Sequence, residues 1–263
     1  MSNWEDFEKE CCEHLNKTYG CNGVSFSTSG ASDSTAPDIE VTKNNNKLFN
    51  IEVKMPQAQS GQFVVLERDG LFVFSDKNKS NEEDALPILQ YMNENFEKYK
   101  NASTAGVALE MDIEQYVKWV VKHYISKNEK FVITKQGANF VLFPIEKYGE
   151  YFNTTALYRI KKSGSQDVSS SSVDEVKEYF VSFDKGASLL FTGKKLYVAT
   201  KKQMKLKARF LVGDKELFVS KIEDGVYYLR KLSNTRNANV IFSIQLKKDQ
   251  DVNDLISFVE ALN

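Results

Sequence analysis

The stretch that decides the fold is APDIEV, residues 36–41, followed by LFNIEVK at 48–54. In DIEV, Ile39 and Val41 alternate with Asp38 and Glu40; in LFNIEVK, Phe49, Ile51 and Val53 alternate with Asn50, Glu52 and Lys54. A period of two marks a strand with one buried face, and the polar run TKNNNK between the two segments reads as a hairpin turn. Burying both apolar sets together restricts the register, because a one-residue slip sends every side chain to the opposite face. A turn centred on Asn45 sets Ile39 opposite Ile51 and Asp38 opposite Glu52, and a shift of two residues would satisfy the same pattern. Directly opposed side chains have Cβ atoms about 5 Å apart, where like charges repel. Such a pair needs solvent to dilute its charge or a cation to bind it.

Hard oxygen ligands favour magnesium, which makes Asp38 and Glu52 candidate metal ligands. Lys54 leaves the same face one pleat further on, where an ammonium can orient a water and stabilise negative charge on a phosphate. An exposed hairpin decorated with charge would show the same letters, and there a Glu–Lys pair contributes little. Glu40, on the face of Asp38, reads as solvated.

Pro37-Asp38, then Glu52-Val53-Lys54 after a short turn, resembles the PD-(D/E)XK nuclease superfamily, the restriction-endonuclease-like fold, over roughly residues 1–66. The resemblance implies a sequence-specific, Mg2+-dependent endonuclease of double-stranded DNA, of the type II restriction kind. It also implies a glutamate on the preceding helix aimed at the metal site. Glu8 in DFEKECC fits, since it shares a helical face with Cys11, Cys12 and Leu15. After the lysine comes MPQAQSGQF, with Gln57, Gln59 and Gln62 beside the proposed site. Glutamine can bind a base edge or a phosphate. Gln62 joins the candidate catalytic set because Gly61 permits close approach of the backbone to a ligand; Gln57 and Gln59 are candidate DNA contacts.

The formal net charge of −1 hides an asymmetry. From Lys185 to Arg236 thirteen Lys/Arg face four acids, a balance of +9, so the remainder carries −10. A basic segment attached to an acidic body points to a polyanionic partner; lysines guarding strand edges would give the same count. TKKQMKLKARF supplies Lys201, Lys202, Lys205, Lys207 and Arg209, and YYLRKLSNTRNANVIF supplies Arg230, Lys231 and Arg236. Arg236, Asn237 and Asn239, expected in a loop between strands, are candidate base readers, because arginine and asparagine pair with guanine and adenine edges.

The chain of 263 residues can bury a substantial core. It has no apolar run of membrane-spanning length, and MSNWEDFEKE lacks the features of a signal peptide. Three cysteines, Cys11, Cys12 and Cys21, suit a reducing cytoplasm better than a disulfide framework. Two histidines, His14 and His123, and no CxxC supply too few ligands for zinc, and both histidines read as structural.

Helical spacing predicts helices over about 2–19, 82–100, 112–126, 173–180 and 252–262, with strands between. The serine-rich run KSGSQDVSSSS, residues 162–172, reads as a linker. The expected architecture is α/β: a mixed central sheet flanked by helices, a restriction-endonuclease-like core over 1–165. A β-rich basic part that recognises DNA follows over 166–263, with a closing helix. Cutting both strands of a palindrome would suggest a homodimer, although no dimerisation patch is legible. The rival readings are a repair or recombination nuclease that cuts by structure and a DNA-binding protein that kept the fold without cutting.

Overall fold

The computed structural model describes residues 4–28, 37–162, 164–193, 195–223, 225–232 and 236–263, with backbone alone at 161, 162 and 236. In chain order the first elements are α1 (Trp4–Tyr19), β1 (Val24–Thr28), β2 (Ile39–Lys43), β3 (Asn46–Val53), β4 (Gln57–Arg68) and β5 (Leu71–Phe74). Next come α2 (Glu82–Glu94), α3 (Phe96–Tyr99), β6 (Val107–Ala108), α4 (Ile113–Ile125), β7 (Glu129–Gln136), β8 (Asn139–Pro144), α5 (Tyr148–Tyr151) and β9 (Phe152–Lys162). The remainder is β10 (Ser165–Asp167), α6 (Val173–Phe183), β11 (Ser188–Thr192), β12 (Lys195–Ala199), β13 (Arg209–Val212), β14 (Lys215–Glu223), β15 (Val226–Leu232), β16 (Arg236–Leu246) and α7 (Val252–Ala261).

Two compact units result: residues 1–160 with 238–263, and residues 161–237. The sequence boundary at 165/166 assigned the last strand and the closing helix to the basic part. In the structure both belong to the first unit, because their apolar faces complete its cores. Val240, Phe242 and Ile244 of β16 enter one core cluster, and Phe258 and Leu262 at the end of the chain enter another. The serine-rich run is not a linker either. Ser165–Asp167 pairs with Leu232–Arg230 of β15, which supplies the backbone partners that a loop would take from water.

The first unit holds two sheets, in the orders β1-β2-β3-β7-β8 and β5-β4-β16-β9-β6. The hairpin register follows the alternation: Ile39 faces Ile51, and Val41 faces Phe49. The turn itself is tighter than expected. Asn44 and Asn45 both take positive φ, 51° and 65°, the geometry of a two-residue hairpin turn. The extra residue, Leu48, is absorbed as a bulge between Val41 and Thr42. β3 then pairs in parallel with β7, which makes it an interior strand covered on both faces. Ile51 and Val53 pack under α1 and α7 with Phe7, Cys11, Leu15 and Phe258; across the sheet, Val132 belongs to the core that includes Trp119 and Tyr124 of α4.

In the second unit β11-β12-β15-β14-β13 form an antiparallel sheet, with β10 added to β15. Val176 and Phe180 of α6 pack with Leu196, Val198, Leu217, Val219 and Leu229 of the sheet. The architecture is thus α/β with a mixed sheet flanked by helices and a β-rich basic part. Among the described residues no helix is long and apolar enough to cross a membrane.

Candidate active site

The hairpin end is no solvated decoration. Glu52 is 6% exposed as a residue, and the ion pair between Lys54 Nζ and Glu52 leaves only 12% and 8% of those side chains exposed. β3 ends at Val53, Pro56 prevents the strand continuing unchanged, and the Lys54 amide still donates to Ile133 O of β7 at 3.0 Å. Asp38 lies just before the ladder of β2, so it is not a ladder partner of Glu52. Instead its Oδ2 accepts from the Val53 amide at 2.8 Å, which ties its carboxylate to the strand that carries Glu52 and Lys54.

The electrostatics are those of crowded carboxylates. Burial, then Glu52, raises the Asp38 carboxyl to about 7, against the opposing effect of Lys54. Glu8 on α1 is likewise raised, first by burial and next by Glu52. The structure therefore brings Glu8, Asp38, Glu52 and Lys54 into one electrostatic cluster. For Lys54, burial disfavours the charge, but Glu52, Tyr124 and Asp38 together outweigh it and hold the ammonium well above the ordinary lysine range. One lysine thus faces three carboxylates in a poorly solvated place. A divalent cation is what such an excess would bind, since magnesium takes one or two carboxylates and completes its shell with water and phosphate oxygens. Among the described residues no group of three or more His, Cys, Asp or Glu side chains is placed to hold a metal; Asp38 and Glu52 alone would supply the one or two carboxylates that magnesium takes.

Gln57, Gln59 and Gln62 are exposed on β4, and Gln59 Nε2 donates to Gln62 Oε1 at 3.3 Å. The reason for Gly61 differs from the sequence expectation. Its φ is +122°, and an added Cβ would lie 2.9 Å from Trp119 Cζ3, so the close approach is made by a core ring.

Several buried polar groups near the cluster carried no motif. Ser60, fully buried, hydrogen-bonds Tyr124 OH at 3.2 Å and Tyr148 OH. Glu129 on β7 is 3% exposed and raised to about 9, by burial and then by Glu52 and Asp38. His123 stacks on Trp119 with centroids 5.0 Å apart and is lowered to about 4, chiefly by burial. His14 stacks on Phe140. Nothing local in the predicted helix over 112–126 showed that Tyr124 would reach Lys54, whose Nζ lies 5.2 Å from its ring centroid.

In the second unit Lys201, Lys202, Lys205 and Lys207 are exposed in the segment before β13. Arg209 is exposed and paired with Glu216 at 3.0 Å. Arg230 donates to Ser165 O at 2.8 Å and approaches Asp167 at 3.6 Å, so it braces β10; Lys231 is half-buried on β15. Arg236, Asn237 and Asn239 are strand residues rather than loop residues, since β16 begins at Arg236 and Asn239 pairs with Val64. The side chain of Arg236 lies outside the described residues.

A mixed sheet that brings two carboxylates and a lysine to one strand end, with a glutamate from the preceding helix, is a restriction-endonuclease-like arrangement. Among solved structures the chain is similar to the HhaI endonuclease, in a complex with DNA, at 40% identity over 99% of both chains and a TM-score of 0.84. The chain belongs to that family, the type II restriction endonucleases. No protein-family model matches the chain, and no curated protein matches it.

Proposed function

We propose that the chain is a Mg2+-dependent, sequence-specific endonuclease of double-stranded DNA, with the Asp38, Glu52 and Lys54 set of the PD-(D/E)XK nucleases at its centre. The observation that carries the reading is the partly buried Glu52–Lys54 ion pair, with Asp38 and Glu8 close enough to be shifted by its charges, in a chain 40% identical to an endonuclease whose structure holds DNA. Asp38 and Glu52 would hold the metal. Bound there, Mg2+ supplies charge neutralisation at a phosphate oxygen and a more acidic water. Lys54, kept protonated by its carboxylate neighbours, orients the nucleophile and offsets the negative charge that grows on the phosphate. Glu8 adds negative charge to the cluster and supports cation binding. Gln62 is assigned to the substrate side of the site.

The second unit is assigned to DNA recognition. Residues 161–237 carry sixteen Lys/Arg against nine Asp/Glu, a surplus of seven positive charges, which suits binding to phosphates. Lys201, Lys202, Lys205, Lys207, Arg209 and Lys231 are assigned to the backbone, together with Arg230 and the Gln57 and Gln59 pair. Arg236, Asn237 and Asn239 are assigned to base edges. Three unpaired cysteines agree with a cytoplasmic site of action, and cutting both strands of a palindrome would suit a homodimer.

Digestion of unmethylated bacteriophage DNA in Mg2+, followed by sequencing of the fragment ends, tests the reading. One short sequence at every end supports it. A smear, or cutting confined to branched DNA, would replace it with a structure-specific nuclease.

A further inference from the structure

Behind Lys54, the second sheet of the first unit and α4 place groups that a carboxylate–lysine site does not by itself require. Gln59 pairs with Ser243 and Gln62 with Ile241, so Ser60 and Gly61 of β4 together stand opposite Phe242 of β16. A bulge of this kind re-aims the side chains beside it. Here it sends the Ser60 hydroxyl inward, with no exposure, to Tyr124 OH at 3.2 Å and to Tyr148 OH. Gly61 meanwhile leaves room for Trp119, which lies on α4 five residues before Tyr124. The bulge therefore fixes α4 at two points, through a ring contact and through a hydrogen bond to the end of the Tyr124 phenol.

The face of that fixed ring is turned toward the lysine, with Nζ 5.2 Å from the centroid. An ammonium has three N–H donors. Glu52 takes one, and Val53 O lies at 3.4 Å from Nζ. The aromatic face adds to the attraction of Glu52 and the nearby Asp38, and it counts for more because the side chain is only 12% exposed. Four rotatable bonds separate the lysine backbone from its charge, so an ammonium tied to Glu52 alone would swing with that carboxylate. A site that must deliver the charge to one place needs a second, rigid restraint.

We propose that Tyr124, held by a hydrogen bond to Ser60, is the positioning residue that fixes the Lys54 ammonium at the carboxylate site. The inference rests on Lys54 acting in phosphodiester hydrolysis, as proposed above, and its test includes a readout that does not. Tyr124→Leu removes the ring, Tyr124→Phe keeps the ring and loses the hydroxyl, and Ser60→Ala frees the phenol. Each protein is assayed for single-turnover cleavage at saturating DNA, for DNA affinity without metal, and for acylation of Lys54 by an amine-reactive ester, read by peptide mass spectrometry.

Tyr124→Leu is expected to cleave about 10- to 30-fold more slowly, the range of a desolvated cation–π contact, with DNA affinity unchanged and Lys54 acylated faster. Tyr124→Phe keeps the ring without its hydrogen-bond anchor and is expected to lie between the wild type and Tyr124→Leu in both readouts, as is Ser60→Ala. Wild-type cleavage and acylation in Tyr124→Leu would overturn the proposal, and so would a Tyr124→Phe protein as slow as Tyr124→Leu. If Tyr124→Leu fails to fold, Ser60→Ala decides: slower cleavage with faster Lys54 acylation supports the proposal, and no change in either overturns it. If the wild type cuts no DNA, the nuclease reading fails by that result, while the acylation series still decides whether Tyr124 restrains Lys54.

Discussion

Replacing Asp38 with asparagine should make the metal-free protein more stable at high pH and leave the gain absent at low pH. Asp38 has an ordinary value of 3.8 and sits at about 7 in the fold, because burial and then Glu52 disfavour its charge. Below pH 3.8 both folded and unfolded chains hold the proton, and ionisation makes no difference. Between pH 3.8 and about 7 the folded chain keeps a proton that the unfolded chain has lost, so wild-type stability falls as pH rises. Above about 7 the loss is complete. At about 1.4 kcal/mol for each pH unit of that window, the full cost is on the order of 4 kcal/mol. Asparagine can still accept from the Val53 amide that Asp38 Oδ2 engages at 2.8 Å, so the substitution removes the charge while keeping the local bond. Urea unfolding of both proteins in chelator, from pH 4 to 8.5, gives the stability difference directly. The expected difference grows in favour of Asp38→Asn across the window and then levels. Adding Mg2+ at pH 8 should narrow it, since only the wild type retains both carboxylates. A difference that stays constant with pH, or a variant less stable at pH 8 than at pH 4 relative to the wild type, would refute the reasoning.

Gly61→Ala should destabilise the fold by about 2–3 kcal/mol, because its φ of +122° strains any Cβ and Trp119 lies 2.9 Å from where the methyl must go; the midpoint of urea unfolding reads the loss. Glu129, raised to about 9, holds its proton at neutral pH. The unfolded chain has lost that proton above its ordinary value of 4.5, so Glu129→Gln should match the wild type in stability only at low pH, exceed it increasingly as pH rises to about 9, and level off above, in the same unfolding assay. Replacing Lys201, Lys202, Lys205 and Lys207 together with alanine should weaken DNA binding and flatten its dependence on salt. The log–log slope should fall by about 0.9 for each phosphate that the variant no longer neutralises. An unchanged slope in filter binding would remove that segment from the interface.

The register of Ile39–Val41 against Phe49–Ile51 was legible because burial of two apolar sets leaves few alternatives once the strands alternate. The placement of Lys54 beside Glu52 followed from the same alternation. What the letters could not show was the parallel neighbour β7, which comes from residues 129–136 and turns an apparent edge hairpin into an interior strand. That single pairing is why Glu52 is buried and why the carboxylates disturb one another. Asn237 and Asn239 looked like loop residues because asparagine favours turns. β4 supplies Asn239 with a ladder partner, and a partner strand outweighs the weak intrinsic preference. The return of the chain to the first unit at residue 238 was hidden for a related reason. A strand read alone does not say which sheet it joins, and only the packing of Val240, Phe242 and Ile244 settles it. Ser60 and Tyr124 had no motif, since their meeting depends on a bulge and a helix far apart in sequence.

The most direct measurement of the central claim is the single-turnover cleavage rate on a DNA fragment that the protein cuts, with and without Mg2+, for the wild type and Lys54→Ala. The account predicts cleavage only by the wild type and only with Mg2+, while both proteins bind the fragment with similar affinity. Cleavage by Lys54→Ala at the wild-type rate, or by the wild type in chelator, would contradict it.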